Sequence, residues 1–279
     1  MRSIAWLSEK GGPGKTTCAT NTAVGLAKLG KRVLFVDADP QGNASMIFLG
    51  GREPAAPTLY HVLTNEAGAV EAIRSTGTPG LDLIPAESGL ADANVILVTE
   101  LGRERRLRMA MQGVDAGYDF VVCDTSPQRT LLNVNVLNYV AEVYCPVDPG
   151  IFGIAGLVKL QEAVSGVVKF LDNPTLRLAG LVVSRVQRDN LSRDTEGQLR
   201  ATFGPLVMTT TVPASTKIGE AHARYQSVLD YAPGTPGAKA FEALTREIIA
   251  HGADNGAGIG VDGTAEVNRP GRARRRRAG

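Results

Sequence analysis

The chain has 279 residues, of which 43% are hydrophobic, and a formal net charge of +2. That length suits one large α/β domain with a tail better than two full domains, and no apolar run approaches the ~18 residues of a membrane helix or resembles a leader core. Cys18, Cys123 and Cys145 form no C-x-x-C pair and have no nearby histidine, so their spacing excludes a disulfide framework and a zinc site. They read as small buried hydrophobes in a soluble, intracellular protein, and the scattered His61, His222 and His251 receive no role.

In chain order, the apolar residues 4–7 read as a strand, and the stretch Glu9-Lys10-Gly11-Gly12-Pro13-Gly14-Lys15-Thr16-Thr17 follows it and opens a helix. Strand, glycine-rich loop and helix is the context of a phosphate-binding loop. Glycines let backbone N–H groups converge on phosphate oxygens, and the helix dipole favours the anion. Lys15 is placed to reach the terminal phosphates and Thr16 to ligate Mg2+. Ala19, Ala23, Leu26 and Ala27 then mark one apolar helical face that stops at Gly30, and residues 33–36 read as a strand buried on both faces. The result is a right-handed βαβ unit.

At the end of that second strand stand Asp37 and Asp39, at the edge where parallel sheets bind ligands. Residues 58–74 read as two short helices with Leu59, Val62, Leu63, Val70 and Ile73 inward. A strand follows at 81–84, and 87–112 has a helical pattern whose Arg103, Arg105, Arg106 and Arg108 form a solvated face. The run 120–123 ends in Asp124-Thr125-Ser126-Pro127, a hydrophobic strand closing on an acid. In this order it reads as a Walker B strand, with Asp124 holding Mg2+ through water and residues 125–129 acting as a γ-phosphate switch. Further apolar runs at 143–147, 178–183 and 207–212 alternate with helical stretches, and a helix at 236–250 closes the fold. The expected architecture is α/β, a doubly wound and mostly parallel sheet, in a P-loop domain over 1–250. Residues 251–279 have almost nothing to bury and are expected to be a disordered Gly/Ala/Arg-rich tail. Six arginines lie in its last eleven residues. Without them 24 basic residues face 28 acidic ones, a net of −4, so affinity for a polyanion must come from a local patch or from the tail.

Glu9 replaces the first glycine of the ordinary P-loop and Lys10 adds a second lysine. This K-G-G-x-G-K-T-T form resembles the deviant P-loop of the ParA/MinD/nitrogenase-iron-protein class, and residues 33–44, residues 144–147 and the segment from Thr211 to Ala221 resemble ParA proteins in particular. The resemblance spans about residues 2–250. It implies a Mg2+-dependent ATPase that partitions a plasmid or chromosome. In such a protein Lys10 acts across an ATP-dependent homodimer, Asp39 orients the attacking water and Asp37 supports the magnesium shell. It further places Gly11, Gly12, Gly14, Lys15, Thr16, Thr17, Asn21 and Pro213 at the nucleotide, and Thr16, Asp37 and Asp124 at the metal. Serine at position 184, where the family often carries a base-reading asparagine, leaves base selectivity open. Lys217 matches a basic family position with Arg224 nearby, and these two are either phosphate contacts to non-specific DNA or solvated charge.

The resemblance also implies a ParB-like stimulating partner, a cytoplasmic, nucleoid-associated location and no membrane partner. No helix-turn-helix extension precedes Met1, which places the chain with the short subgroup. Two alternatives stay open, a positioning ATPase for other cargo and a nucleotide-gated DNA-binding module with little turnover. A MinD-type amphipathic membrane helix is disfavoured by a tail whose polyarginine lacks apolar partners, an iron–sulfur role by the positions of Cys18 and Cys123, and a tyrosine-kinase role by the absence of a Tyr-rich tail.

Overall fold

The computed structural model describes residues 1–8, 11–12, 14–128, 130–149 and 154–254. Eight strands form one sheet: β1 (Arg2–Trp6), β2 (Val33–Ala38), β3 (Arg74–Ser75), β4 (Leu81–Ile84), β5 (Phe120–Thr125), β6 (Glu142–Val147), β7 (Arg177–Val186) and β8 (Val212–Pro213). Their order is β3-β4-β2-β5-β1-β6-β7-β8, and only the β3–β4 pair is antiparallel. The helices are α1 (Lys15–Lys28), α2 (Asn43–Phe48), α3 (Leu59–Leu63), α4 (Ala69–Ala72), α5 (Leu90–Ile96), α6 (Arg106–Ala110), α7 (Leu131–Tyr139), α8 (Ile154–Phe170), α9 (Asn190–Phe203), α10 (Thr216–Ala223), α11 (Val228–Tyr231) and α12 (Pro236–Asp254). This is the expected doubly wound, mostly parallel sheet.

The central strands carry apolar residues on both parities because each parity faces its own core. Ile4, Trp6, Val33, Phe35 and Val122 pack with α1 and α12, while Ala5, Leu34, Val36, Val121 and Cys123 pack with α3, α5 and α7 on the other face. All three cysteines are buried and none is joined in a disulfide. No helix among the described residues is long and apolar enough to cross a membrane.

Four local readings change. The 87–112 stretch is not one helix: it breaks into α5, two 3-10 turns and α6, and Gly102 takes φ 67° at the break. Its arginines keep to the surface as expected, Arg105 and Arg108 exposed and Arg103 and Arg106 half-buried, and three of them hold local partners. Arg106 pairs with Glu100 at 2.7 Å, Arg103 bonds Glu104 and the Val98 carbonyl, and Arg108 donates to the Asp172 carbonyl. Val70 points outward, although Leu59, Val62 and Leu63 are buried as expected. The 207–212 strand reduces to a single bridge at Val207 and the short β8, because the Glu247 carboxylate captures the Thr209 and Thr210 amides at 2.6 and 2.8 Å and pulls that backbone off the sheet. α12 also runs to Asp254, four residues past the expected end of the domain.

α1, which carries the phosphate loop, lies against α12 through Gly25. A Cβ built there would come within 3.2 Å of Thr245 Cβ and closer still to its hydroxyl. Overpacking costs about 1–3 kcal/mol and outweighs the helix-propensity gain, so Gly25→Ala should lose about 1–2 kcal/mol. Gly197 on α9 has nothing within 4 Å of such a Cβ, and Gly197→Ala should gain about 0.5–1 kcal/mol. Thermal melts of the pair check the close seating, and Gly25→Ala melting at or above the parent temperature would refute it.

Candidate active site

The strand order β2-β5-β1 brings three chain ends together at one edge of the sheet. Gly12 and Gly14 sit at φ 94° and 93°, a backbone region that side chains disfavour, and Gly14 caps α1 with no side chain of its own. The first-turn amides of α1 are left facing the loop, as anion binding requires. Lys15 is 7% exposed. Burial lowers its pKa, while Asp124 and Asp39 act in the opposite sense.

Register sets the acids. Asp37 on β2 stands opposite Asp124 on β5, and Asp124 in turn opposes Trp6 at the end of β1. Both carboxylates are fully buried. Burial pushes Asp37 up to about 6 despite its hydrogen bonds, with the Asp39 charge adding to the rise. Asp124 is also raised, first by burial and then by the Asp37 charge, with a bond from Thr16 and the Lys15 charge opposing. Asp124 accepts the Thr125 amide at 3.0 Å through Oδ1, while Oδ2 is buried without a partner. A buried carboxylate oxygen left open beside the Thr16 hydroxyl fits a magnesium shell. No cluster of three metal-ligating side chains occurs among the described residues. The Asp124 carboxylate and the Thr16 hydroxyl match the magnesium habit of few protein ligands completed by water and phosphate.

Asp37 is engaged by the chain itself. Oδ2 accepts the Ser45 amide at 2.8 Å and its hydroxyl at 2.7 Å, and Oδ1 accepts the Asp39 amide at 3.2 Å. Ser45 Oγ also receives the Ala86 amide at 2.8 Å, so Asp37 anchors α2 and the loop that carries Asp39. The sequence reading missed Ser45, whose signal is its place in the helix after the two aspartates. Asp39 is 7% exposed and accepts the Gln41 amide at 3.0 Å.

The other expected residues fall at different distances from this centre. Asn21 is fully buried, with Nδ2 on the Thr17 carbonyl at 2.8 Å and Oδ1 on the Val228 amide at 2.9 Å, so it braces α1 against α11. Pro213 lies on β8 beside Val186 of β7. Ser184 on β7 is buried, and its hydroxyl reaches the Val147 carbonyl at 3.5 Å. After Asp124, Asn133 of α7 holds the Ser126 and Gln128 carbonyls at 2.9 and 2.6 Å, which ties the loop after β5 to α7. Lys217 pairs with Glu220 at 2.7 Å, Glu220 also accepts the Tyr231 hydroxyl, and Arg224 lies over the Tyr231 ring at 5.0 Å. Lys10, Arg129 and the arginines of the tail lie outside the described residues.

Fold and site together define a P-loop nucleotide hydrolase. Residues 1–178 match the family described as an AAA domain. The chain is 37% identical over 257 residues to the chromosome partitioning protein ParA of Caulobacter vibrioides (91% of this chain, 96% of that one). It is 39% identical over 257 residues to the chromosome-partitioning ATPase Soj of Thermus thermophilus (90% and 96%). It belongs to this ParA/Soj family of ATPases. A solved structure of cobyrinic acid a,c-diamide synthase from Mycobacterium smegmatis with an ATP analogue and magnesium has the same fold, with a TM-score of 0.79 at 26% identity over 91% of this chain and 96% of that one. ATP and Mg2+ are accordingly the cofactors of an ATPase.

The two aspartates of the β2 loop should separate experimentally. Asp37→Ala removes three buried acceptor bonds and should lower the melting temperature markedly, equivalent to a loss of about 2–4 kcal/mol. Asp39→Ala should melt within about 2 °C of the parent, keep ATP binding and lose at least about a hundredfold in turnover. Scanning calorimetry and phosphate release decide it, and turnover within about twofold for Asp39→Ala would remove it from the catalytic role.

Proposed function

We propose that this chain is a ParA-type partitioning ATPase that dimerises on ATP, binds nucleoid DNA without sequence preference in the cytoplasm, and hydrolyses ATP when a ParB-like partner stimulates it. The observation that supports it best is Asp39, poised on the β2 loop that Asp37 anchors, at the edge where Lys15 and Asp124 also converge, in a chain 37% identical to a ParA protein. The chemistry is in-line attack of water on the terminal phosphate, where positioning and charge stabilisation supply most of the rate.

In this reading the amides of Gly11, Gly12, Gly14, Lys15, Thr16 and Thr17 hold the phosphates, and Lys15 stabilises the charge that builds on the leaving oxygens. Asp39 orients the water and takes its proton. Thr16 and Asp124 would hold Mg2+, which when bound draws negative charge off the phosphates, and Asp37 supports them from behind. Lys10 completes the neighbouring protomer's site. Asn21 contributes as the brace of α1, and Pro213 borders the base. Because Lys10 acts in trans, Lys10→Ala should bind ATP but stay monomeric. Light scattering with ATP and Mg2+ tests this, and a stable ATP-dimer of the variant would exclude the trans role.

DNA binding has two candidate sources. Lys217 and Arg224 already have partners in Glu220 and Tyr231, so a phosphate must compete with an acid at that surface. The tail brings six arginines to a body of net −4. Each neutralised phosphate adds about 0.9 to the salt slope, so removing the chain after Asp254 should flatten the slope of DNA binding by about four to six and leave basal ATPase unchanged. Filter binding across a salt series reads both quantities. An unchanged slope and affinity would assign the interface to the Lys217 surface instead.

A further inference from the structure

We infer that Arg185 is a positioning residue of the phosphate loop, setting nucleotide affinity by holding the Gly12 carbonyl in place. The inference rests on the reading of that loop as the ATP site. Arg185 sits near the end of β7, where the pairing with β8 shifts register: Ser184 pairs Val212 and Val186 pairs Pro213, leaving Arg185 as the extra residue between them. Its φ is +57°, in the left-handed region that favours glycine. A β-bulge re-aims a side chain, and such features gather beside active sites.

The re-aimed side chain crosses 173 positions of sequence. Nη1 donates to the Gly12 carbonyl at 3.0 Å, and Nε lies 3.5 Å from Asp148 Oδ2, one residue past the end of β6. One guanidinium thus ties the ends of β6 and β7 to the loop after β1. The chemistry of that loop gives the tie a purpose. A loop that turns its amides toward an anion must turn its carbonyls elsewhere, and those carbonyls need donors. Gly12, itself at φ 94°, has Arg185 as that donor. Arginine's planar fork can serve Gly12 and Asp148 together, whereas a lysine ammonium is a point charge without that geometry.

A plain surface ion pair is the competing explanation, since Arg185 is 59% exposed and exposed pairs add little stability. The two accounts diverge in Arg185→Gly, which relieves the left-handed backbone and deletes the donor. In the full-length protein with Mg2+, Arg185→Gly should melt at or above the parent temperature yet bind fluorescent ADP and ATP analogues each about tenfold more weakly. KM for ATP should rise by a similar factor with kcat within about twofold, the signature of lost uniform binding. Arg185→Lys should recover part of the affinity, and Asp148→Asn should lose a smaller part of it. Unchanged dissociation constants in a folded Arg185→Gly protein would overturn the inference. So would a loss confined to ATP, which would mean contact with the γ-phosphate, or a loss abolished by 0.5 M salt, which would mean charge steering. Failure of the ATP-site reading itself would show as a parent protein that binds neither nucleotide.

Discussion

Two carboxylates at the same register of adjacent parallel strands, both fully buried, govern this molecule. Each loses its water, Asp124 also feels the charge of Asp37 and Asp37 that of Asp39, and both pKa values are raised. The surrounding chain offsets part of it. Ser45 and the Asp39 amide satisfy Asp37, while Thr16 and the Thr125 amide reach Asp124. Lys15, its own pKa lowered by burial, is the cation whose charge acts on Asp124 and Asp39. The arrangement is left incomplete at Asp124 Oδ2. A folded protein that keeps a buried acceptor open holds free energy that a bound cation can release, so binding and stability are linked in this site.

The fold was legible where its causes are local. Continuous apolar runs marked β1, β2, β5 and β6 because strands covered on both faces need apolar residues at both parities. The loop glycines were legible because positive φ at Gly12 and Gly14 leaves little choice of residue. The acids were legible because they follow those strands directly. The parts that escaped depend on distant residues. Residues 207–212 read as a strand from Val207, Met208 and Val212, but Glu247, 37 positions past Thr210, takes the Thr209 and Thr210 amides that a strand would need. The arginines at 103–108 were legible as a surface set, but not the partners that Glu100 and the carbonyls of Val98 and Asp172 give three of them. Arg185 gave no signal at all, since a bulge is a property of two strands and not of one.

Asn21 shows how a correct neighbourhood can carry a different role. The resemblance places it at the nucleotide, and it does stand one turn from Thr17, but its amide is spent on the chain at both ends. It thereby links the first turn of α1 to the start of α11. α11 packs on α10, and Glu220 and Tyr231, one on each helix, are joined by a hydrogen bond in the cluster that holds Lys217 and Arg224. Separating the first turn of α1 from α11 therefore requires breaking one of these two bonds, at about 1–3 kcal/mol, and a continuous path of contacts runs from Thr17 through Asn21, α11 and the Glu220–Tyr231 bond to the Lys217–Glu220 pair.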